Sequence, residues 1–166
     1  VLCAILVAST AGASTAGAST SQPPVDDPVT TDAIGTTVDL GHYALNGAVR
    51  SAVRDPVTGT TWVGGEFTRI NNTNRLRLAR LNGDGKLDLS FDLGTNGVNG
   101  LVRAITLQTN GQVLIGGDFT QVAGLNRSFL ARIQTNGLLD TNFFASLDGP
   151  VRSIAMNMLG FLGYRV

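Results

Sequence analysis

The chain has few of the residues from which active sites are usually built. Its 166 residues include one cysteine (Cys3), one histidine (His42), one lysine (Lys86) and one tryptophan (Trp62). One cysteine excludes an internal disulfide, and its place near the N-terminus leaves the rest of the chain without thiol chemistry. One histidine, with no cysteine or carboxylate cluster in its neighbourhood, reads as a loop residue rather than a metal ligand, and it offers no Ser-His-Asp set. Lys+Arg and Asp+Glu both number 12, so the formal net charge is zero. That excludes the basic face nucleic-acid binding needs, and electrostatic attachment to anionic membranes. No glycine-rich segment ends in Lys-Ser or Lys-Thr, so no phosphate-binding loop is read. No stripe of aromatic and basic residues points to single strands of nucleic acid. Long helix-forming segments are missing too. Glycine is plentiful at 21, with Asn and Thr at short spacing. That composition is all-β.

What is present is a repeat. Residues 49–91 (VRSAVRDPVTGTTWVGGEFTRINNTNRLRLARLNGDGKLDLSF) return as residues 102–143 (VRAITLQTNGQVLIGGDFTQVAGLNRSFLARIQTNGLLDTNF). Gly64-Gly65-Glu66-Phe67 matches Gly116-Gly117-Asp118-Phe119 at an offset of 52, as Leu78-Ala79-Arg80-Leu81 matches Leu130-Ala131-Arg132-Ile133. Val49-Arg50 matches Val102-Arg103 at 53, because the first hairpin carries one extra residue. A third copy opens at Val151-Arg152, at a further 49, and leaves the pattern after Ala155. Insertions fall only in turns, as expected when each repeat is one supersecondary unit.

Ahead of the repeats, residues 1–8 (VLCAILVA) form an apolar run too short for a membrane span of about 20 residues. Small residues follow, with Ala11-Gly12-Ala13, and residues 1–18 read as a signal peptide clipped at its front. Cys3 follows Leu2, not a small residue, which disfavours a lipoprotein signal. Residues 19–37 read as a low-complexity linker of Ser, Thr, Pro and Asp that buries too little to offset its chain entropy. Residues 38–166 read as the repeat domain: full repeats at 49–101 and 102–150, and a partial one at 151–166. Val38-Asp39-Leu40 resembles the Leu87-Asp88-Leu89 that closes a repeat, so a partial unit leads in.

Each full repeat is expected to hold four short strands. In the second copy they fall at 102–108, 112–119, 128–134 and 138–143, with a long loop at 120–127. Asn110-Gly111 and Asn136-Gly137 predict hairpin turns of type I′, whose central residues take positive φ. Val113-Leu114-Ile115 is apolar on both faces, as a strand held between two neighbours must be. Gly116-Gly117 removes side chains where another chain segment passes closely or the strand bends. Trp62 takes the place of Leu114 and is expected in the core. Four strands in about 50 residues is the arithmetic of a propeller blade. The fold class is therefore all-β: a partial β-propeller of two four-stranded blades with partial blades at either end, after a disordered leader.

These residues, hydrophobic-Gly-Gly-acid-Phe-Thr followed by Leu-Ala-Arg and Gly-x-Leu-Asp-x-x-Phe, resemble the delta-60 repeat, a bacterial β-propeller-type repeat. The resemblance covers about residues 49–155 and both full copies. It implies a blade in a secreted or surface-attached protein, one with many copies as a rule. It implies no enzymatic activity and carries over no catalytic residue. A double glycine after a strand also marks kelch repeats, but their later aromatic positions are missing here. Kelch stays a cousin at the level of fold. The chain departs from the delta-60 pattern in having two full copies where propellers close with about 4–8 blades. Two such blades leave open edges, and self-association through them is expected, or pairing with further repeats.

No catalytic, metal or cofactor site is read from the chain, and its ligand-binding residues stay unknown. The recurring charges are Arg50, Arg103 and Arg152, Glu66 and Asp118, Arg80 and Arg132, and Asp88 and Asp140. They are expected to pair structurally, the arginine fork meeting carboxylate and capping carbonyls between blades. The alternative is a carbohydrate-active hydrolase or lyase with Glu66 or Asp118 as acid or base, and a truncated non-functional product is a third reading. The turn from Asn82 to Asp88 resembles a calcium loop, but Lys86 and Leu87 stand where a ligand and a glycine belong, so it is read as a turn. Asn71-Asn72-Thr73 and Asn126-Arg127-Ser128 are glycosylation sequons, read here as loop polars. The loops at 69–76 and 121–128 differ most between copies and are the first place to look for a ligand. The leading expectation is a non-enzymatic, secreted or cell-surface module, a scaffold or an adhesion element. Its partner would be an extracellular protein or glycan, with no cofactor, no nucleic acid and no membrane insertion of the mature chain.

Overall fold

The structure is a computed structural model that describes residues 30–31, 37–38, 43–145 and 147–156. The stretch read as a signal peptide, most of that read as a linker, His42 and the end of the third repeat lie outside the described residues. The described residues are all β, with no helix. Within the stretch read as a linker and lead-in, β1 (Thr30–Thr31) pairs antiparallel with β2 (Thr37–Val38), and both lie against the first blade.

The first blade contains β3 (Val49–Arg54), β4 (Thr61–Gly65), the small hairpin β5 (Arg69–Ile70) with β6 (Thr73–Asn74), and β7 (Leu78–Leu81). The second repeats it as β8 (Val102–Leu107), β9 (Val113–Gly117), β10 (Gln121–Val122), β11 (Leu125–Asn126) and β12 (Leu130–Ile133). Each main sheet is an antiparallel meander, in the order β3-β4-β7 and β8-β9-β12. The expected fourth strand is reduced to one bridge, Leu87 to Leu81 in one blade and Leu139 to Ile133 in the other. The aspartate that follows explains why it stops. Asp88 and Asp140 still donate their N–H to Arg80 and Arg132. Their side chains then accept from the N–H of Ser90 and Asn142, which turns the chain off the sheet.

The hairpin turns differ from the type I′ geometry expected of Asn-Gly. Only the glycines, Gly111 (φ 79°) and Gly137 (φ 87°), take positive φ; Asn110 and Asn136 do not. Gln108 and Gln134 accept from those glycines at 2.9 Å and donate to Gln112 and Leu138. This is the three-residue loop in which a left-handed glycine follows a type I turn. The asparagine serves as an acceptor instead. Asn110 takes the N–H of Gln112 and Asn136 that of Leu138, as Asp84 takes that of Lys86.

The two glycines after each second strand have separate causes. A Cβ on Gly65 or Gly117 would land on the carbonyl oxygen of Ala48 or Leu101, within the same blade. A Cβ on Gly64 would come within 2.5 Å of Val102 and 2.8 Å of Ile105, both on the next blade. Gly116 meets Val151 and Ile154 in the same way. The first glycine therefore sets how closely blades stack, and the second lets the first strand bulge. Both central strands are buried along their whole length, as their double-sided apolar pattern requires.

The core runs through the stack. Val53, Trp62, Leu78 and Phe91 of the first blade pack with Ile105, Ile115, Phe119 and Ile133 of the second. Trp62 is buried and meets Phe91 edge-on, at 5.0 Å between centroids. A second cluster, with Val63, Phe67, Ile70 and Leu81, lies on the other face of the first blade, under Tyr43 and Leu45. Phe67 and Phe119 are fully buried, and a side chain of that size contributes about 1.5–3 kcal/mol by leaving water.

Candidate functional site

Three sets of repeated polar residues and one cleft are the places where chemistry could reside. The first set follows from the bulge. Arg50 is the extra residue between the Val49–Gly65 and Ser51–Gly64 pairs, and Arg103 sits alike between Val102–Gly117 and Ala104–Gly116. A bulge re-aims its side chain, here onto the acid just past the double glycine. Arg50 binds Glu66, and Arg103 grips Asp118 with both arms of its fork, at 2.7 and 2.6 Å. The Arg103 hydrogen bonds hold the Asp118 carboxyl below its usual range. Burial opposes this, and the charges of Arg103 and Arg152 add to it. Arg103 is raised in turn, by its bonds to Asp118 and by the charge of Glu66, against burial. Charges of alternating sign thus step from blade to blade: Arg50, Glu66, Arg103, Asp118, Arg152. A general acid keeps its proton near neutral pH; Asp118 is held in the opposite state.

The second set closes each blade. Arg80 donates to Asp88 through Nε and Nη2, both at 2.8 Å, and Arg132 donates to Asp140 at 2.8 and 2.7 Å. Arg80 also lies over the Trp62 and Phe91 rings and reaches the Thr135 carbonyl of the next blade at 3.4 Å. Arg132 lies over Phe143. Burial pushes the Asp88 carboxyl up, but bonds from Ser90 and Arg80 outweigh it and leave it low. Asp140 is lowered chiefly by its bond from Arg132. With Asp88 engaged in this way, the turn before it is closed by its own backbone and by the Asp84–Lys86 pair. Among the described residues no three His, Cys, Asp or Glu side chains gather where they could hold a metal ion.

The third set was not singled out from the sequence. Arg75 and Arg127 are the most buried arginines, at 6% and 5% exposure. Their guanidinium groups donate to the carbonyls of Asn74 and Asp88, and of Asn126, Asp140 and Thr141. They tie the loop after the second strand to the end of the blade. Asn46 and Asn99 tie the same loop to its start, each accepting two backbone N–H groups: Thr68 and Arg69, Thr120 and Gln121. The signal was there to be found. Asn-Arg recurs at 74–75 and 126–127, and Asn-Gly at 46–47 and 99–100. The sequon residues Asn71 and Asn126 lie in these exposed hairpins and accept from Ala44 N–H and from the Gln121 amide.

The cleft, of about 380 Å³, lies between the 68–76 loop and the connection at 92–97. Arg69, Asn74, Arg75, Asp92 and Thr95 provide its polar lining, and Leu76 and Leu93 its apolar one. Arg69 donates to Asn74, and Arg75 is 3.9 Å from Asp92. In the second blade Phe144 stands where Asp92 stands, and its ring covers the Arg127 guanidinium at 4.3 Å.

These features define the class: an all-β repeat protein of stacked meander blades, each braced internally by the same arginine–carboxylate pairs, which lie within a blade and not between blades as expected. Residues 59–91 and 108–143 match the family model described as domain of unknown function (DUF5122) beta-propeller. Each matched stretch ends on the closing phenylalanine, Phe91 or Phe143, and the two repeats are of the β-propeller type. No curated protein and no solved structure matched the chain.

Proposed function

We propose that the chain is a non-enzymatic binding module of the delta-60 kind, acting outside the cell or on its surface. Its ligand is an extracellular protein or glycan, held by the loops between second and third strands. One observation carries this reading. The charges repeated in both full blades are taken up by the fold, whereas the cleft lies where the two copies differ. The 69–76 side of that cleft offers Arg69 and Asn74, a donor set suited to hydroxyl and carboxylate groups. Secretion is supported by the apolar run at 1–8 and Ala11-Gly12-Ala13.

The test is an array of glycans and extracellular matrix peptides probed with the purified chain. Binding weakened about tenfold or more by Arg69→Ala with Asn74→Ala, with no turnover, is the expected result. Binding indifferent to those changes removes the cleft from the proposal. Glycan cleavage abolished by Glu66→Gln or Asp118→Asn replaces a binding module with an enzyme. A reporter fused after residue 18 and recovered from the medium tests secretion separately.

A further inference from the structure

Six Asn-Gly pairs lie along the chain, at 46–47, 82–83, 96–97, 99–100, 110–111 and 136–137. An asparagine before a glycine is chemically labile. The glycine nitrogen, once it loses its proton, can close on the asparagine Cγ to form a five-membered succinimide ring, and glycine has no Cβ to hinder the approach. A hydrogen bond from the glycine N–H, or bonds that anchor the asparagine amide, keep the two apart. The fold therefore decides which pair can react.

Five pairs are held. Asn46 and Asn99 each accept two backbone N–H groups and donate to the hydroxyls of Thr68 and Thr120, at 2.8 and 2.9 Å. Asn110 and Asn136 accept from the N–H of Gln112 and Leu138, while Gly111 and Gly137 donate to the carbonyls of Gln108 and Gln134 at 2.9 Å. Gly97 is buried against Leu76 and donates to the Gly94 carbonyl at 3.2 Å.

Asn82-Gly83 differs from all of these. Both residues are exposed. Among the described residues the Asn82 side chain makes no hydrogen bond, and the Gly83 N–H has no acceptor. The turn closes around them without using either group. Asn82 N–H donates to the Lys86 carbonyl at 2.7 Å, the Asn82 carbonyl accepts from Gly85 at 2.9 Å, and Asp84 takes the Lys86 N–H. In the second blade Gln134 holds the place of Asn82. Its extra methylene would make the ring six-membered, which closes more slowly.

We propose that Asn82 is a site of spontaneous deamidation, the one Asn-Gly pair that the described fold leaves open. The bond from Gly83 N to Asn82 Cγ forms and the Cγ–Nδ2 bond breaks. The proton from Gly83 N leaves with the amide nitrogen as ammonia. Water then adds to one of the two ring carbonyls. Opening at Cγ gives aspartate; opening at the main-chain carbonyl gives isoaspartate, whose backbone runs through Cβ and Cγ. Either product sets a new carboxylate close to Asp84. Isoaspartate also lengthens the main chain by one methylene and displaces the carbonyl that accepts from Gly85, in the turn leading to Asp88 and its pair with Arg80. The first blade thus carries a covalent change that accumulates with time, at a turn where the second blade has none.

The experiment incubates the full chain at mildly alkaline pH, folded and in denaturant, then digests it with trypsin and separates the products by chromatography with mass spectrometry. Trypsin releases residues 81–86 (LNGDGK), which contain Asn82 and no other asparagine. In denaturant all six pairs are expected to convert at similar rates. In the folded chain residues 81–86 are expected to keep that rate and to yield both aspartate and isoaspartate. The other pairs are expected to slow about tenfold or more, because they react only when the structure opens locally. Three results overturn the proposal: residues 81–86 protected in the folded chain as strongly as the rest, another pair converting first, or all six keeping their denatured rate.

Discussion

The two full blades share their skeleton and differ at their loops. Both place an arginine on a bulge against an acid, close on an arginine–aspartate pair, and bury an arginine under the loop that follows the second strand. Even the backbone strain repeats. Arg77 (φ 66°) and Phe129 (φ 68°) sit in the left-handed region, where neither side chain is at ease. Each is fixed by donating to the Phe67 or Phe119 carbonyl and accepting from Gly65 or Gly117. What differs is one core position, Trp62 against Leu114, and the periphery: Asp92 against Phe144, and a connection three residues longer after the first blade. The shared part is what any blade needs to stack on the next. In the first blade the connection at 92–97 and Arg75 line a cleft, whereas in the second the Phe144 ring lies on the Arg127 guanidinium.

The comparison can be broken first at its shared core. Phe119→Ala empties a fully buried site between blades and is expected to lose about 3–5 kcal/mol, read by urea denaturation. Phe67→Ala is expected to lose somewhat less, since Phe67 holds the same place in its repeat but packs in the smaller cluster under Tyr43 and Leu45 and not between two full blades. Next come the glycines. Gly64→Ala forces Val102 and Ile105 away and is expected to lose about 1–3 kcal/mol. The same loss at Gly116→Ala would show that Val151 and Ile154 pack as firmly as a complete blade.

The arginines sharpen the contrast. Arg80→Met is expected to lose about 2 kcal/mol, because Asp88 is left buried with a charge and only Ser90 to hold it. Arg132→Met should lose less, since Arg132 is more exposed and packs on one ring instead of two. The pH dependence follows from the same pairs. Asp88, Asp118 and Asp140 have lowered folded-state pKa values, so their contribution is fully present above the unfolded value of about 4. It is lost as pH falls through the folded values. Chemical denaturation between pH 3 and 7 should therefore show stability falling below about pH 4, with a shallower slope in Arg80→Met. The smallest effect is expected at Glu66→Gln. Arg50 and Glu66 are about half exposed, so the loss should stay within about 0.5 kcal/mol.

Much of this arrangement was legible because repetition exposes it. Two copies in one chain show which residues a blade requires, and the double glycine, the buried second strand and Trp62 all lie where the pattern put them. The charged residues were recognisable as structural. Their partners were not, because Arg50 and Glu66 stand 16 residues apart, and Arg80 and Asp88 stand 8 apart on different segments. Arg75 and Arg127 escaped notice inside a loop read as variable, and Asn46 and Asn99 in the segments that lead into each first strand, although their spacing recurs.

By itself, then, the sequence determined an all-β chain of stacked units, through the period of its apolar residues and the two glycines that no side chain can replace. Tertiary structure alone decided which arginine meets which acid. It also turned the chain away after Leu87 and Leu139, where an aspartate binds the backbone two residues on in place of a fourth strand. And it opened a cleft beside the first blade, between the 68–76 loop and the 92–97 connection. These outcomes depend on the distance and direction between groups remote in the chain, which no local pattern of residues specifies.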